Sequence, residues 1–203
     1  MRTQDILASA GPQAQHIEAL WWLMLVICAV VFIAVLTGVA LALIRSPRGD
    51  PATPPDLSSL ARPERSAAIV VVAAVALSAA LLIFLTIASF LTDRRLASLG
   101  PPALEVELTA HRWWWEVRYQ DADPSRIFAT ANEMHIPVGK PVLVKLKADD
   151  VIHSFWVPNL AGKKDLIPGR DATLTLQADK PGNYRGQCAE FCGVQHAKMA
   201  LLV

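Results

Sequence analysis

The sequence predicts two membrane-spanning helices followed by an all-β sandwich or Greek-key barrel. Three observations carry this. Trp21 to Ile44 and Ala67 to Leu91 are apolar runs without a charged residue, each with the roughly 20 residues a helix needs to cross a bilayer. After Leu99-Gly100-Pro101-Pro102 the composition changes to short β-branched and aromatic runs separated by turn residues. The apolar share, 53% of 203 residues, is high for a soluble domain and concentrated in the first half. Two uncharged runs of this length are hard to bury as core helices in so small a chain.

The elements follow in order. Residues 1–20 form a polar outer N-terminal segment, too polar and with too long a run behind it for a cleavable signal peptide. Spans 21–44 and 67–91 are joined by a Pro-rich connector, 45–66, that carries Arg45, Arg48, Arg62 and Arg65. Only Arg2 precedes the first span, and Arg94 and Arg95 after the second are outnumbered. The positive-inside rule therefore places the connector in the cytoplasm. Both chain ends and the β domain then lie on the periplasmic side of a bacterial inner membrane. Trp21 and Trp22 suit the interface, and Cys28 inside the first span reads as packing.

A linker, 92–102, leads to the domain at 103–203. Leu104 to Thr109, Trp113 to Tyr119, Val142 to Leu146, His153 to Val157 and Ala172 to Leu176 read as strands. Turn signals at Asp121-Ala122-Asp123-Pro124, Pro137 to Pro141, Ile167-Pro168-Gly169 and Lys180-Pro181-Gly182-Asn183 separate them. Thr173-Leu174-Thr175-Leu176 alternates as a half-buried strand should. Many short strands in about 100 residues imply a sandwich or Greek-key barrel. No basic patch suggests nucleic acid.

The chemistry lies near the C-terminus. Cys188, Cys192, His196 and Met199 stand at spacings of four, four and three, with His153 upstream. Thiolate, imidazole and thioether form a soft donor set that selects copper over magnesium, calcium or manganese. A zinc site more often shows Cys-x-x-Cys and has no use for Met. A Cys188–Cys192 disulfide is the alternative in an oxidising compartment, but it leaves the His and Met spacing unexplained. The approach through Pro181 to Gln187 is strand-like, so the ligands sit on a loop between two strands, and His153 closes the site from another strand.

The segments His153-Ser154-Phe155-Trp156-Val157-Pro158, Ile167-Pro168-Gly169-Arg170 and Cys188 to Met199 resemble subunit II of the haem–copper cytochrome c oxidases. His111-Arg112-Trp113-Trp114-Trp115 and the two spans extend the resemblance over nearly the whole chain. It implies a cupredoxin-like domain with a binuclear copper centre, CuA. Cys188 and Cys192 would bridge two copper ions, His153 and His196 would be terminal ligands, and Met199 and the Glu190 carbonyl would be weak ones. The Glu190 side chain would reach a magnesium ion shared with subunit I. Trp113 would be the exposed aromatic through which electrons arrive from cytochrome c. Subunit I, and with it subunit III, are the implied partners, and oxygen reduction belongs to subunit I. Electrons would leave toward subunit I by way of Arg170 and its neighbours.

Strand alternation places Trp113 and Trp115 on one face and Trp114 on the other. Glu116, Asp121, Asp123, Glu133, Asp149 and Asp150 are candidate docking acids for a lysine-rich cytochrome. His16, His111 and His135 match no ligand position. Relatives carry Glu-x-x-Trp-Thr-x-x-Pro before the second span; Glu64 here lacks the Trp, Thr and Pro, so a proton-uptake role for it is not expected. The chain stops at Val203, where relatives continue, so its C-terminus reads as truncated. It shows no Cys-x-x-Cys-His for covalent haem. Two other functions compete: a membrane-anchored copper storage or delivery protein, and a structural subunit of a quinol oxidase, which would lack the thiols.

Overall fold

The computed structural model describes residues 4–46, 65–97 and 99–203. Helix α1 spans Pro12–Arg45 and α2 spans Arg65–Leu96, each longer at both ends than the apolar run inside it. Pro12 opens α1, where its missing N–H costs nothing and its fixed φ suits the first turn. Both helices are long and apolar enough to cross a membrane, and their apolar windows are unburied. Leu, Val, Ile and Phe on all sides are what lipid requires and water forbids. Arg45 ends one helix and Arg65 starts the other; Arg48, Arg62 and Glu64 lie outside the described residues.

The chain divides into two units. One is Trp21–Phe90; the other combines Leu91–Val203 with the segment up to Leu20. The second unit is a two-sheet sandwich. The larger sheet runs β3-β2-β1-β4-β7 and the smaller β6-β5-β8-β9. Their ranges are β1 Leu104–His111, β2 Trp114–Tyr119, β3 Phe128–Ala131, β4 Val142–Ala148, β5 His153–Trp156, β6 Lys164–Leu166, β7 Ala172–Leu176, β8 Arg185–Cys188 and β9 Ala200–Leu202. β1 and β4 pair in parallel and the other neighbours antiparallel, as a Greek-key path with a crossover requires.

Alternation builds the core. Val106, Leu108 and Ala110 of β1, Trp115 and Val117 of β2, and Val142, Val144 and Leu146 of β4 are fully buried, while the residues between them are not. Phe155, Leu166 and Leu201 answer from the smaller sheet. Trp115 packs edge-on against Phe155, ring centroids 6.0 Å apart. β5 is buried on both faces, with His153, Ser154 and Phe155 all below 2% exposure. A histidine in such a strand is held far more rigidly than one on a loop.

The N-terminal segment is hydrogen-bonded to the sandwich. Ala10 donates to the Asn159 carbonyl at 2.7 Å and accepts from Asp179 N at 2.7 Å. The Asn159 amide donates to the Asp5 and Ala8 carbonyls, each at 2.9 Å, and Gln13 Nε2 to the Thr175 carbonyl at 2.6 Å. Each such bond contributes about 1 kcal/mol net, so the set outweighs simple fraying. Gly11 is required: a Cβ there would lie 2.2 Å from the Gln177 carbonyl oxygen.

Candidate metal centre

β8 ends at Cys188 and β9 begins at Ala200; the loop between them carries Cys192, His196 and Met199. Cys188 N donates to the Met199 carbonyl at 2.9 Å, closing the loop at its base. His196 to Lys198 form a 3-10 turn, and Gly193, at φ +116°, makes the bend before it. L side chains rarely adopt that φ. A Cβ at Gly193 would also press on the Trp113 ring at 3.3 Å. Across the sheet, Ala189 N donates to the Ser154 carbonyl at 2.8 Å, which ties the loop to β5 and so to His153.

The donor atoms converge. Cys188 Sγ lies 3.8 Å from His153 Nδ1 and 3.8 Å from Cys192 Sγ. Cys192 Sγ lies 3.6 Å from His196 Nδ1 and 3.8 Å from Met199 Sδ. The Glu190 carbonyl accepts from the Cys188 thiol at 3.1 Å. His153, Cys188, Cys192 and Met199 are all at least 96% buried. Both thiols are free, so the disulfide alternative is not the arrangement observed. The His153, Cys188 and Cys192 donors lie within 4.8 Å of one another, and with a second imidazole, a thioether and a carbonyl beside the thiols they fit a soft, thiophilic metal. The Glu190 side chain, by contrast, points into solvent.

Electrostatics distinguish the two thiols. Burial opposes ionisation of Cys188, but hydrogen bonds with His153, the backbone at Ser154 and Glu190, and His196 outweigh it and bring the thiol down to about 6. Burial, and then the charge on Cys188, push Cys192 up to about 12. Cys188 is thus the more readily ionised of the two thiols. A metal cation must displace the thiol protons, so affinity falls in acid.

Sequence reasoning missed Asp150. It was grouped with surface acids, yet its carboxylate faces inward. Oδ1 accepts from His153 Nε2 at 2.8 Å and from Val151 N at 2.6 Å; Oδ2 accepts from Arg112 N at 2.7 Å and Nε at 3.1 Å. Burial opposes its ionisation, but these donors prevail and hold it well below the usual carboxylate range. The bond to Nε2 fixes the His153 tautomer and leaves Nδ1 free to face the thiols, as outer partners of metal-binding histidines do. An Asp three residues before a ligand His was the available signal. Asp150→Asn should keep the fold and weaken metal binding by about 10- to 100-fold. A metal titration giving unchanged affinity would remove Asp150 from this role.

Trp113 is also placed differently from expectation. It sits in the turn before β2, half-buried, with Nε1 donating to the Cys192 carbonyl at 3.2 Å. It therefore packs on the ligand loop itself. Trp115 is core and Trp114 is the exposed indole, 37% accessible. Among the other acids, Asp123 caps the 3-10 turn at Pro124–Arg126, and Glu133 pairs with His135 at 2.7 Å.

Met199 makes the mildest test of the donor set. Leu replaces Met at similar volume and keeps the buried wall, while a thioether tunes a copper site more than it holds it. Met199→Leu should retain copper and shift its potential and absorption bands. Complete copper loss in a folded protein would contradict this.

Residues 121–203 match the family model described as cytochrome c oxidase subunit II, periplasmic domain. Cytochrome c oxidase subunit 2 of Alkalihalophilus pseudofirmus is 42% identical over 101 residues, half of this chain and 28% of that protein's length. The crystal structure of the periplasmic domain of cytochrome oxidase subunit II from Bradyrhizobium japonicum is 31% identical, with 51% of this chain and 84% of that one covered, at TM-score 0.47. A haem–copper terminal oxidase dimer solved by cryo-electron microscopy is 23% identical over 64% of this chain and 97% of that one, at TM-score 0.46. On the family model and the 42% identity, the segment 121–203 belongs to the family of cytochrome c oxidase subunit II periplasmic domains.

Proposed function

We propose that this chain is the electron-accepting subunit of a respiratory cytochrome c oxidase, taking electrons from cytochrome c and passing them to haem in subunit I. The observation that carries the reading is the buried cluster of His153, Cys188 and Cys192, with the Glu190 carbonyl, His196 and Met199 each within 3.8 Å of one of its thiols. His153, Cys188, Cys192, His196, Met199 and the Glu190 carbonyl would hold a binuclear copper centre. When bound, copper supplies one-electron redox chemistry.

The chain's own residues supply the rest. β5, buried on both faces, fixes His153, and Asp150 sets its tautomer. The Cys188–Met199 backbone bond clamps the loop. A site that cannot rearrange reorganises little when its charge changes, which is the requirement for fast electron exchange. Trp113 joins the outer surface to the ligand loop through its bond to the Cys192 carbonyl. The exposed Glu190 carboxylate is a hard oxygen donor suited to magnesium; as a single ligand it needs the remainder from subunit I. Lys163, Lys164 and Arg170 share the border of an open cavity of about 450 Å³ beside β6 and β7 with Asp165 and Asp171, and Arg170 is the residue by which electrons would leave toward subunit I.

Copper analysis and electron paramagnetic resonance on the purified full chain test the reading. The expected result is two coppers per chain and the multi-line hyperfine pattern of one electron shared by two copper nuclei. One copper with a single-nucleus pattern, or zinc alone, would instead favour a storage or delivery protein.

A further inference from the structure

A hydrogen-bonded chain runs from the surface of the sandwich to a buried ligand, and Arg112 is its outer end. The Arg112 backbone N–H and its Nε–H both donate to Asp150 Oδ2, at 2.7 and 3.1 Å. The other oxygen of that carboxylate accepts from His153 Nε2 at 2.8 Å. The His153 side chain is fully buried, that of Asp150 is 20% exposed and that of Arg112 52%. One carboxylate therefore stands between a half-exposed guanidinium and the imidazole that faces the thiols. The neighbouring acids are engaged elsewhere, since Glu116 and Asp149 lie against the His111 ring at 3.3 and 3.4 Å.

An isolated surface ion pair contributes little, but this carboxylate is shared with a ligand. Linked hydrogen bonds polarise one another, so a donor on one oxygen alters what the other oxygen gives to His153. A charged donor pulls harder than a peptide N–H. A carboxylate bonded to a ligand histidine raises the basicity of that ligand, and a more basic ligand favours the oxidised, more positive metal. The guanidinium can act on this in two ways of opposite sign. By holding the carboxylate in place it would strengthen the bond to His153 and lower the potential. By drawing charge out of the carboxylate it weakens the donation to His153 and raises the potential. The Val151 N–H, at 2.6 Å from Oδ1, and the residue 112 N–H fix the carboxylate whatever side chain stands at 112. Position is thus secured by the backbone, and charge is what the side chain adds.

We propose that Arg112 is a positioning residue that raises the reduction potential of the metal centre by drawing the charge of the Asp150 carboxylate away from His153. The inference rests on the copper centre proposed above. It gives the segment before β2 a double function. Trp113 bonds the ligand loop at the Cys192 carbonyl, while Arg112, the residue before it, acts on the opposite end of the donor set through β5.

The test is a redox titration of the copper-loaded full chain, read from its absorption bands. Arg112→Gln should keep its copper and its spectrum and show a lower potential. At a fixed ambient potential its ratio of oxidised to reduced copper should rise about three- to tenfold, which for a one-electron couple is about 30 to 60 mV. In Asp150→Asn, loaded with excess copper, adding Arg112→Gln should change that ratio by less than about twofold, as a double-mutant cycle requires of a residue acting through Asp150. A higher potential in Arg112→Gln would mean that the side chain only holds the carboxylate against His153, and it overturns the proposal. So does an unmoved potential, or an equal shift with Asp150 already replaced. If Arg112→Gln does not hold copper, Arg112→Met, which keeps the aliphatic stem, carries the same expectation; copper loss in both assigns Arg112 to the fold and overturns the tuning role. A wild-type chain that takes up no copper pair defeats the underlying reading, whereas a copper pair whose potential ignores residue 112 defeats this inference alone.

Discussion

Cys192→Ser is expected to leave a folded protein that no longer holds a copper pair. Cys192 sits at the centre of the donor set, within 3.6 to 3.8 Å of Cys188 Sγ, His196 Nδ1 and Met199 Sδ. Cys188 Sγ likewise touches three donors, His153 Nδ1, Cys192 Sγ and the Glu190 carbonyl, so the two thiols together join all six. A hydroxyl is a poor, hard ligand for copper compared with a thiolate, so the substitution removes the atom that links both halves of the site. The fold should survive, because Ser is smaller and its hydroxyl can bond His196, at a cost of about 1–3 kcal/mol if it fails to. Circular dichroism should stay native, and bound copper should fall to one ion or none. The metal-dependent gain in melting temperature that mass action gives the wild type should shrink with it. Two coppers with a shared-electron signal in Cys192→Ser would refute the assignment of Cys192 as the linking ligand.

How much of this was visible in the sequence depends on the length scale of each signal. The two apolar runs and the ligand spacing are local and periodic, and they needed no tertiary information. Five strands were legible because alternation or β-branched content marked them. β3 and β6 were not. Phe128-Ala129-Thr130-Ala131 lies at the edge of its sheet with little burial to impose alternation. Lys164-Asp165-Leu166 is three residues long, mostly polar, and exists because β5 offers it backbone partners. The docking of Ala10, Gly11 and Gln13 was hidden for a related reason. Small and polar residues look solvated, but here the Ala10 backbone bonds to Asn159 and Asp179, the Gln13 side chain bonds to the Thr175 carbonyl, and Gly11 packs on the Gln177 carbonyl. Asp150 and Asp149 are indistinguishable by composition; only the fold shows that one is bonded inward and the other stands out. The strand rule misplaced Trp113 because the Arg112–Trp113 turn breaks the period just before β2 starts.

That displacement sharpens what Trp113→Phe should do. Phe keeps most of the ring area but loses the N–H, so the Cys192 carbonyl loses its donor at 3.2 Å. The ring also packs beside Gly193, where the loop bends. Of the proposed copper ligands, His153 on β5 and Cys188 and Met199 at the backbone clamp are held independently of Trp113. Copper content and its spectrum should therefore change little. Docking should also hold, because the exposed indole is Trp114 and the outward acids are Glu116 and Asp149, none of which the substitution alters. What remains is the bonded link between the surface and the ligand loop. Misplacement by ~1 Å at a remote group can cost two orders of magnitude in rate, and the loss expected here is on the order of tenfold or more in copper reduction after rapid mixing with reduced cytochrome c. Wild-type reduction rates in stopped-flow traces would move the relay to another aromatic, with the Trp114 indole the next to substitute. A protein that fails to fold would instead assign Trp113 to the support of the ligand loop alone, a role its half-buried position against Gly193 can also fill.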